Sequence, residues 1–315
     1  MALPSVDESA LARADEELRR NRPNAYALLV QQAGRVIFER YYGGRSPEDR
    51  LDLRSATKSV LSALVGIAIG RGLLAGLDEP IDALLPEQAG PGTAGLTLDH
   101  VLTMTAGLAW DETVDFGRLG HDWVSEMLAR PRVAPPGQAF AYSSALSQVA
   151  AAALSRQRVG DLTAFAQREL FDRLEIAPPR WERAPDGLPI GGFGLWLTAR
   201  DAARIGELFL RRGRWANEPV VPERYVAAAT SPASAGGFPE EVPYGRGWWV
   251  SDESGRPGFF AAGYGGQYVY VVPALELVCV TAADPSLPPW DERQDLRGLI
   301  VGIAGGAPGP GRSSG

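Results

Sequence analysis

Of the 31 lysine and arginine residues in this chain of 315 residues only one is a lysine, Lys58, and it lies three residues after Ser55. Positions i and i+3 of a helix share one face, so a helix beginning here would bring the hydroxyl close to the amine. Serine is a weak nucleophile until a base accepts its proton. Arginine stays protonated and cannot be that base, whereas burial and the positive end of a helix dipole both favour a neutral lysine. The pair is therefore a candidate for acyl transfer through a serine ester.

A serine–lysine pair needs further groups that move protons and stabilise a developing oxyanion. Tyr142 follows a Pro-Gly turn and precedes a helix pattern, and a phenol beside a cationic lysine becomes a better proton relay. The backbone N–H of Ser55, at the helix start, is one candidate oxyanion donor. A second donor is expected near Tyr264, Gly265 and Gly266, where glycines permit close backbone approach, although the same spacing fits a bulge or hairpin turn.

The hydrophobic pattern predicts the elements that must position these residues. Lys58 lies on a long apolar helix predicted over 55–71, and two strands at 26–32 and 36–42 are joined by a tight turn. Further helices are predicted at 9–20, 97–105, 121–130, 143–156, 162–174, 201–212, 222–229 and 291–303, and further strands at 247–251, 259–262, 267–272 and 277–282.

Strands at both ends of the chain flank a helical middle, and this order predicts an α+β fold. One antiparallel sheet would be built from both ends and covered by terminal helices, with an all-helical lobe inserted between its halves. The predicted sheet lobe comprises 1–74 and 197–304, the helical lobe comprises 75–196, and 305–315 is predicted to be a flexible tail.

Composition excludes several classes of protein. The formal net charge of -7 and the lack of a basic stripe argue against a nucleic-acid partner. One cysteine, Cys279, excludes a disulfide framework, and two histidines, His100 and His121, argue against a metal centre, so we expect neither metal nor cofactor. The apolar run 60–70 is too short to span a membrane, and the acidic N-terminal sequence lacks the apolar core of a signal peptide. We therefore expect a cytoplasmic protein without a membrane partner, although a secreted protein trimmed of its leader would have the same sequence.

Five segments together resemble one family, the penicillin-recognising serine hydrolases. They are Ser55-Ala56-Thr57-Lys58, which matches S-x-x-K; 96–108, which matches the family's helix-and-turn segment; Tyr142-Ser143-Ser144, in the Y-x-N place; 197–204; and 263–273, in the place of the third motif. This superfamily includes class C β-lactamases, DD-peptidases, β-lactamase-like esterases and 6-aminohexanoate-dimer hydrolase. The resemblance covers about 24–282 and implies a β-lactamase/transpeptidase-like fold.

The resemblance also implies roles for the candidate residues. Ser55 would be the nucleophile, Lys58 the general base, and Tyr142 the proton relay and water activator. The oxyanion hole would consist of the backbone N–H of Ser55 and one from the strand around Tyr264 or Gly265.

Two departures from the family pattern bear on the substrate. Ser144 stands where β-lactamases have the asparagine that holds the acyl side chain, and the third motif lacks the K-T-G or H-x-G cation. The nearest candidate for a replacement cation is Arg246, in the glycine cluster 245–247, which like 191–194 is expected to form a turn. Both departures favour a neutral ester or amide over a β-lactam.

The sequence thus predicts a serine hydrolase of small ester or amide substrates that works through an acyl-enzyme on Ser55. Ser144, Gly266 and Trp110 are predicted to contribute to substrate binding, Trp110 by lining an acyl pocket. Two alternatives stay open: a β-lactamase or DD-peptidase, and a catalytically silent penicillin-binding-like module that binds a ligand. Neither the particular substrate nor the oligomeric state follows from the sequence.

Overall fold

The computed structural model describes residues 5–286 and 296–305, which form two compact units. Unit 1 consists of the described residues within 1–56, 196–211 and 251–315, and unit 2 consists of 57–195 and 212–250.

The predicted helices are present with somewhat different bounds. The α-helices of the described residues are α1 (Glu8–Asn21), α2 (Thr57–Gly70), α3 (Ile81–Leu84), α4 (Leu98–Leu102), α5 (Glu112–Asp115), α6 (Trp123–Leu128), α7 (Ser144–Leu154), α8 (Leu162–Ala166), α9 (Ala199–Leu210), α10 (Glu223–Ala229) and α11 (Arg297–Gly305). The sequence analysis missed α3 and α5, because helices of four residues carry no periodic pattern. Of the predicted C-terminal helix and tail, 291–295 and 306–315 lie outside the described residues.

The long predicted strands are also present, and several short ones accompany them. The strands are β1 (Ala25–Gln32), β2 (Arg35–Tyr41), β3 (Leu51–Asp52), β4 (Arg180–Trp181), β5 (Leu195–Leu197), β6 (Arg214–Trp215), β7 (Glu218–Pro219), β8 (Ser234–Gly237), β9 (Val242–Tyr244), β10 (Trp249–Ser251), β11 (Gly258–Gly263), β12 (Gln267–Val272) and β13 (Leu277–Ala283). The sequence analysis did not predict β3 to β9, because two to four residues are too few to show alternation.

The antiparallel sheet of unit 1 joins strands from both ends of the chain, as the predicted α+β fold requires. Its strand order is β2-β1-β13-β12-β11. Val280 in β13 lies opposite Leu29 of β1 on one side and opposite Val269 of β12 on the other. Both β12 and β13 are buried along their whole length. Such burial requires cover on both faces of the sheet.

Alternation along the strands directs side chains to a different helix on each face. On one face, Gly206 of α9 lies against Val269 and Val278. On the other face, Tyr270 stacks on Phe260 with ring centroids 5.1 Å apart, and the guanidinium of Arg297 in α11 lies 5.5 Å from the Phe260 ring centroid. The helix α1 packs on α11 and β1. Helices α9 and α11 therefore enclose the centre of this sheet.

Unit 2 is built around two mostly apolar helices that are buried on all sides. The helix α2 is buried from Thr57 to Ala68, and α7 is buried along its whole length. A helix without a polar face has to be surrounded by other elements. Accordingly α7 packs on α2, α4 and α6, and α2 also packs on α10. The sequence analysis assigned 57–74 and 212–250 to the sheet lobe. In the structure both segments belong to unit 2.

Replacing Gly206 with valine should lower the free energy of unfolding by about 1–3 kcal/mol, as overpacking of a core does. A Cβ atom at this position would lie 2.7 Å from Cγ1 of Val278 and 2.8 Å from Cγ1 of Val269. The control is Gly298→Val in α11, because a Cβ there would have no neighbour within 4 Å. Urea denaturation measures both variants. Equal stability of the two would contradict the close seating of α9 on the sheet.

Candidate active site

Ser55 lies in unit 1, in a 3-10 turn over Arg54–Ala56 that continues directly into α2. The preceding residue, Arg54, has φ +48°, a left-handed conformation that is uncommon outside glycine. Its backbone N–H donates to Oδ1 of Asp52 over 2.9 Å, and its guanidinium lies 5.8 Å from the centroid of the Tyr264 ring. These contacts fix the direction in which the chain enters the turn that contains Ser55.

The predicted oxyanion segment forms the turn between β11 and β12. Gly265 and Gly266 have φ +89° and +92°, which glycine adopts readily, so the turn accounts for both glycines. At the end of β11, a Cβ atom on Gly263 would clash with the backbone carbonyl of Leu53. The start of the turn therefore lies directly beside the chain that leads to the nucleophile turn. Donation to an oxyanion by the N–H groups of Tyr264 or Gly265 stays a prediction.

Lys58 lies in the first turn of α2, in unit 2, with only 4% of its surface exposed. Its Nζ donates to Oγ of Ser144 and to the carbonyl oxygen of Gly192, each over 3.0 Å. It also lies 4.7 Å from the centroid of the Tyr142 ring. A neutral amine retains two N–H groups, which suffice to donate both of these bonds. The surroundings therefore suit the basic form of the side chain.

Burial lowers the pKa of Lys58 from 10.5 to about 8, and the negative charge of Glu112 opposes that shift. With a pKa of about 8, roughly a tenth of the molecules carry the neutral amine at pH 7. An unperturbed lysine would have fewer than about one neutral molecule in a thousand at that pH. Burial thus brings the pKa of this amine close to the neutral pH range in which a general base would have to work.

The acceptors of the lysine are brought together by close packing on α7. Ser144 is the first residue of α7. A Cβ atom on Gly192 would lie 3.0 Å from Cβ of Ser144, and the N–H of Gly191 donates to Oε1 of Gln148 over 2.8 Å. The cluster 191–194 was expected to be only a turn. Its first two glycines in fact let the chain run against α7, so that the Gly192 carbonyl reaches the lysine.

The ring of Tyr142 is positioned by an aromatic wall. It stacks on Trp249 with ring centroids 5.8 Å apart and an interplanar angle of 21°. Trp249 in turn packs edge-on against Tyr244 at 4.6 Å and Phe140 at 5.9 Å. Because Trp249 is 2% exposed, it supports the tyrosine from the interior of unit 2. The Tyr142 ring is thereby fixed in place beside the lysine amine.

The second glycine cluster anchors the start of α2. Gly247 has φ +79°, and a Cβ atom there would lie 2.8 Å from the carbonyl oxygen of Lys58. The Oγ of Ser59 donates to the Gly247 carbonyl over 2.5 Å, and the Oγ of Ser62 donates to the Arg246 carbonyl over 2.6 Å. Only a residue without a side chain permits this approach, which fixes the helical turn that carries the lysine.

Arg246 does not replace the cation that the third motif lacks. Its guanidinium donates to both carboxylate oxygens of Asp99, over 2.5 and 3.1 Å, and to the carbonyl of Ala228 over 2.8 Å. The side chain is 17% exposed. Its charge is therefore neutralised within unit 2.

The sequence analysis did not single out Glu112, which the structure places against α7. One oxygen of its carboxylate, Oε2, accepts from the backbone N–H of Ser144 over 2.9 Å and from Nε1 of Trp110 over 2.8 Å. Trp110, predicted to line an acyl pocket, is thus tied to this carboxylate. No local signal reveals the contact, because 32 residues separate Glu112 from Ser144.

The remaining candidates have structural roles. His100 accepts from the backbone N–H of Thr97 through Nδ1, over 3.2 Å, as part of the capping box of α4. Cys279 is fully buried in β13. Within the described residues, no group of three histidine, cysteine or acidic side chains is placed to hold a metal ion. In the same part of the chain, none of the helices combines the length and apolarity needed to cross a membrane.

Known proteins with the same fold include several hydrolases. The 6-aminohexanoate-dimer hydrolase of Paenarthrobacter ureafaciens is 27% identical over 332 residues, which span 95% of this chain and 83% of that protein. A Bacillus anthracis structure, provisionally named a 6-aminohexanoate-dimer hydrolase, superimposes with a TM-score of 0.77 at 19% identity and covers 92% of this chain and 81% of its own. EstCE1, described as a hydrolase with promiscuous acyltransferase activity, superimposes with a TM-score of 0.76 at 18% identity, over 95% and 98% of the two chains.

Fold and site together define a class, the β-lactamase-like serine hydrolases. The chain belongs to the beta-lactamase family, whose model matches residues 11–300. This confirms the resemblance and the β-lactamase/transpeptidase-like fold that the motifs predicted.

The pKa of Lys58 can be measured directly, because it is the only lysine in the chain. Protein labelled with 13C at lysine Cε should give one lysine signal, whose chemical shift titrates with a midpoint near pH 8, the value expected from burial. The same protein unfolded in urea should titrate near 10.4. A midpoint above 10 in the folded protein would contradict the buried environment of the amine.

Proposed function

We propose that this protein hydrolyses small ester or amide substrates through an acyl-enzyme on Ser55, with Lys58 as general base and Tyr142 as proton relay. One observation carries the proposal: the only lysine of the chain is buried one helical turn after Ser55, between two fixed acceptors and a tyrosine ring. A buried lysine needs a strong reason to be retained, because desolvation of its charge is costly. Supplying a neutral base to a serine is such a reason.

Acylation begins when the Ser55 Oγ attacks the substrate carbonyl carbon and its proton passes to the neutral Nζ of Lys58. The carbonyl π electrons move to the oxygen, and the backbone N–H groups of Ser55 and of the turn at Tyr264 or Gly265 donate to it. When the tetrahedral intermediate collapses, the bond to the leaving group breaks and its electron pair takes a proton from the Tyr142 phenol. Lys58 then returns a proton to Tyr142, which leaves a neutral base and an acyl-enzyme.

Deacylation repeats these steps with water in place of serine. The neutral Lys58 Nζ accepts a proton from the water that attacks the ester carbonyl, either directly or through Tyr142, which takes the water proton as it passes its own phenolic proton to Lys58. Collapse of the second intermediate breaks the bond to Ser55 Oγ, which takes the proton back. The free acid leaves and the starting protonation states are restored.

The charges near the site support a neutral substrate. Arg246 is neutralised by Asp99, and the guanidinium of Arg54 lies 3.4 Å from a carboxylate oxygen of Asp52. Ser144 stands in the place of the β-lactamase asparagine. Its hydroxyl accepts a hydrogen bond from Lys58. A relative named 6-aminohexanoate-dimer hydrolase supports ester or amide hydrolysis outside the β-lactam class.

The family name favours a second candidate function, β-lactam hydrolysis or DD-peptidase activity. It requires recognition of a substrate carboxylate, and the third motif of this chain lacks the K-T-G or H-x-G cation that would meet it. A catalytically silent ligand-binding module is the third possibility. Retention of Ser55, Lys58 and Tyr142 together argues against it, because ligand binding alone does not need a buried base.

Ser55→Ala and Lys58→Arg should each lower the rate of p-nitrophenyl acetate hydrolysis by at least about 100-fold, the lower range for loss of a proton-transfer group. Lys58→Arg keeps a positive charge but removes the base, since arginine stays protonated. Ser231→Ala, which alters an exposed serine, is the matched control and should retain wild-type rates. A fluorophosphonate probe should label Ser55 in the wild type and fail to label the alanine variant. Wild-type turnover by Lys58→Arg would refute the base role.

Substrate class is tested by comparing p-nitrophenyl esters with nitrocefin and a fluorescent penicillin. We expect turnover of the esters with kcat/KM at least about 100-fold above that for nitrocefin, because the third motif lacks the K-T-G or H-x-G cation for the β-lactam carboxylate and leaving that charge unpaired is costly. Stable labelling by penicillin together with faster nitrocefin turnover would instead establish the second candidate function. Ligand-induced stabilisation without any turnover would favour the silent module.

A further inference from the structure

Glu112 links the start of α7 to the lysine that is proposed as general base. Ser144 is the first residue of α7, and its backbone N–H is one of the orphan donors at a helix N-terminus. Glu112 Oε2 accepts that N–H over 2.9 Å from a different segment of the chain. Oγ of the same Ser144 accepts from Lys58 Nζ over 3.0 Å. Two hydrogen bonds of ordinary length therefore connect the Glu112 carboxylate to Ser144 and Ser144 to the Lys58 amine.

The carboxylate is itself fixed. Its Oε2 also accepts from the indole N–H of Trp110 over 2.8 Å, and the guanidinium of Arg130 lies 5.2 Å from the centroid of that tryptophan ring. Arg130 in turn pairs with Asp115, at the end of α5, over 3.1 Å. The half-buried Glu112 thus occupies one position relative to α7, and its negative charge lies where the helix dipole is positive.

Burial and the charge of Glu112 have opposite effects on the pKa of Lys58. Burial disfavours the ammonium form of Lys58, and the nearby charge of Glu112 favours it. The amine also lies against the hydroxyl of Ser144, the carbonyl of Gly192 and the ring of Tyr142, none of which is a carboxylate. A base that gains and loses a proton in each cycle needs both forms to be accessible.

We propose that Glu112 is a positioning residue for the general base: it fixes Ser144 against the Lys58 amine, and its charge stabilises the ammonium form that arises during each proton transfer. The inference rests on the proposed function in assigning Lys58 as base. It goes beyond that function in assigning the control of the base to a carboxylate on a short helix that the motifs of the family do not include.

The test compares Glu112→Gln, which removes the charge and keeps an acceptor oxygen, with Glu112→Ala, which removes both. In Glu112→Gln protein labelled with 13C at lysine Cε, the Lys58 titration midpoint should fall by about one pH unit, because one nearby opposite charge is lost. The rise of kcat/KM with pH for p-nitrophenyl acetate should move down by the same amount. Glu112→Ala should in addition lose about ten-fold or more in kcat/KM at pH 9, where the amine is neutral in both proteins. Glu112→Gln should keep the wild-type kcat/KM at pH 9. That result would show that the acceptor oxygen positions Ser144 independently of the charge.

The matched control is Asp161→Asn, because Asp161 also caps a helix N-terminus, that of α8, where its Oδ1 accepts the backbone N–H of Ala164. It should leave the lysine midpoint and kcat/KM unchanged. If Glu112 only caps α7, both Glu112 variants will melt at lower temperature with wild-type lysine midpoint and kcat/KM, and the proposal is overturned. Because the NMR titration needs no turnover, it separates the two proposals. If both Ser55→Ala and Lys58→Arg retain activity, the proposed function is refuted. If the lysine midpoint is unchanged in Glu112→Gln, the role of the Glu112 charge is refuted.

Discussion

The burial of one lysine amine is the constraint on which the rest of the site depends. Moving an ammonium group out of water is costly, and here burial lowers its pKa from 10.5 to about 8, which corresponds to about 3 kcal/mol. The remaining cost is offset by two acceptors at 3.0 Å and by the π face of a tyrosine. The amine that results is stable in either protonation state, as a base that turns over must be.

That requirement explains features of unit 2 that otherwise look unrelated. Gly192 approaches α7 so closely that a side chain would press on Ser144, and Gly247 approaches the first turn of α2 in the same way. Each approach delivers backbone where a side chain could not reach: one supplies a carbonyl to the amine and the other fixes the helix that carries it. Both glycines therefore help to position Lys58, although neither has a reactive side chain.

The proposed nucleophile has a different support. Ser55 lies on the turn that leads into α2, after a left-handed Arg54 and beside the end of β11, where Gly263 packs against the backbone of Leu53. Along the chain Ser55 precedes Lys58 by three residues. Ser144, which departs from the β-lactamase pattern, contacts the lysine directly, because its hydroxyl accepts a hydrogen bond from Nζ of Lys58.

The sequence by itself determined the S-x-x-K pair, the tyrosine, the long helices and strands, and the α+β order, because these depend on residue type, short spacing and periodicity. It indicated Lys58 by its scarcity among 30 arginines and by its position three residues after Ser55 at the start of an apolar helix. Only the tertiary structure decided what surrounds the amine: Gly192 and Glu112 lie 134 and 54 positions from Lys58 along the chain. Such contacts arise when helices without a polar face pack together, and no local pattern encodes which backbone atom then meets a buried charge.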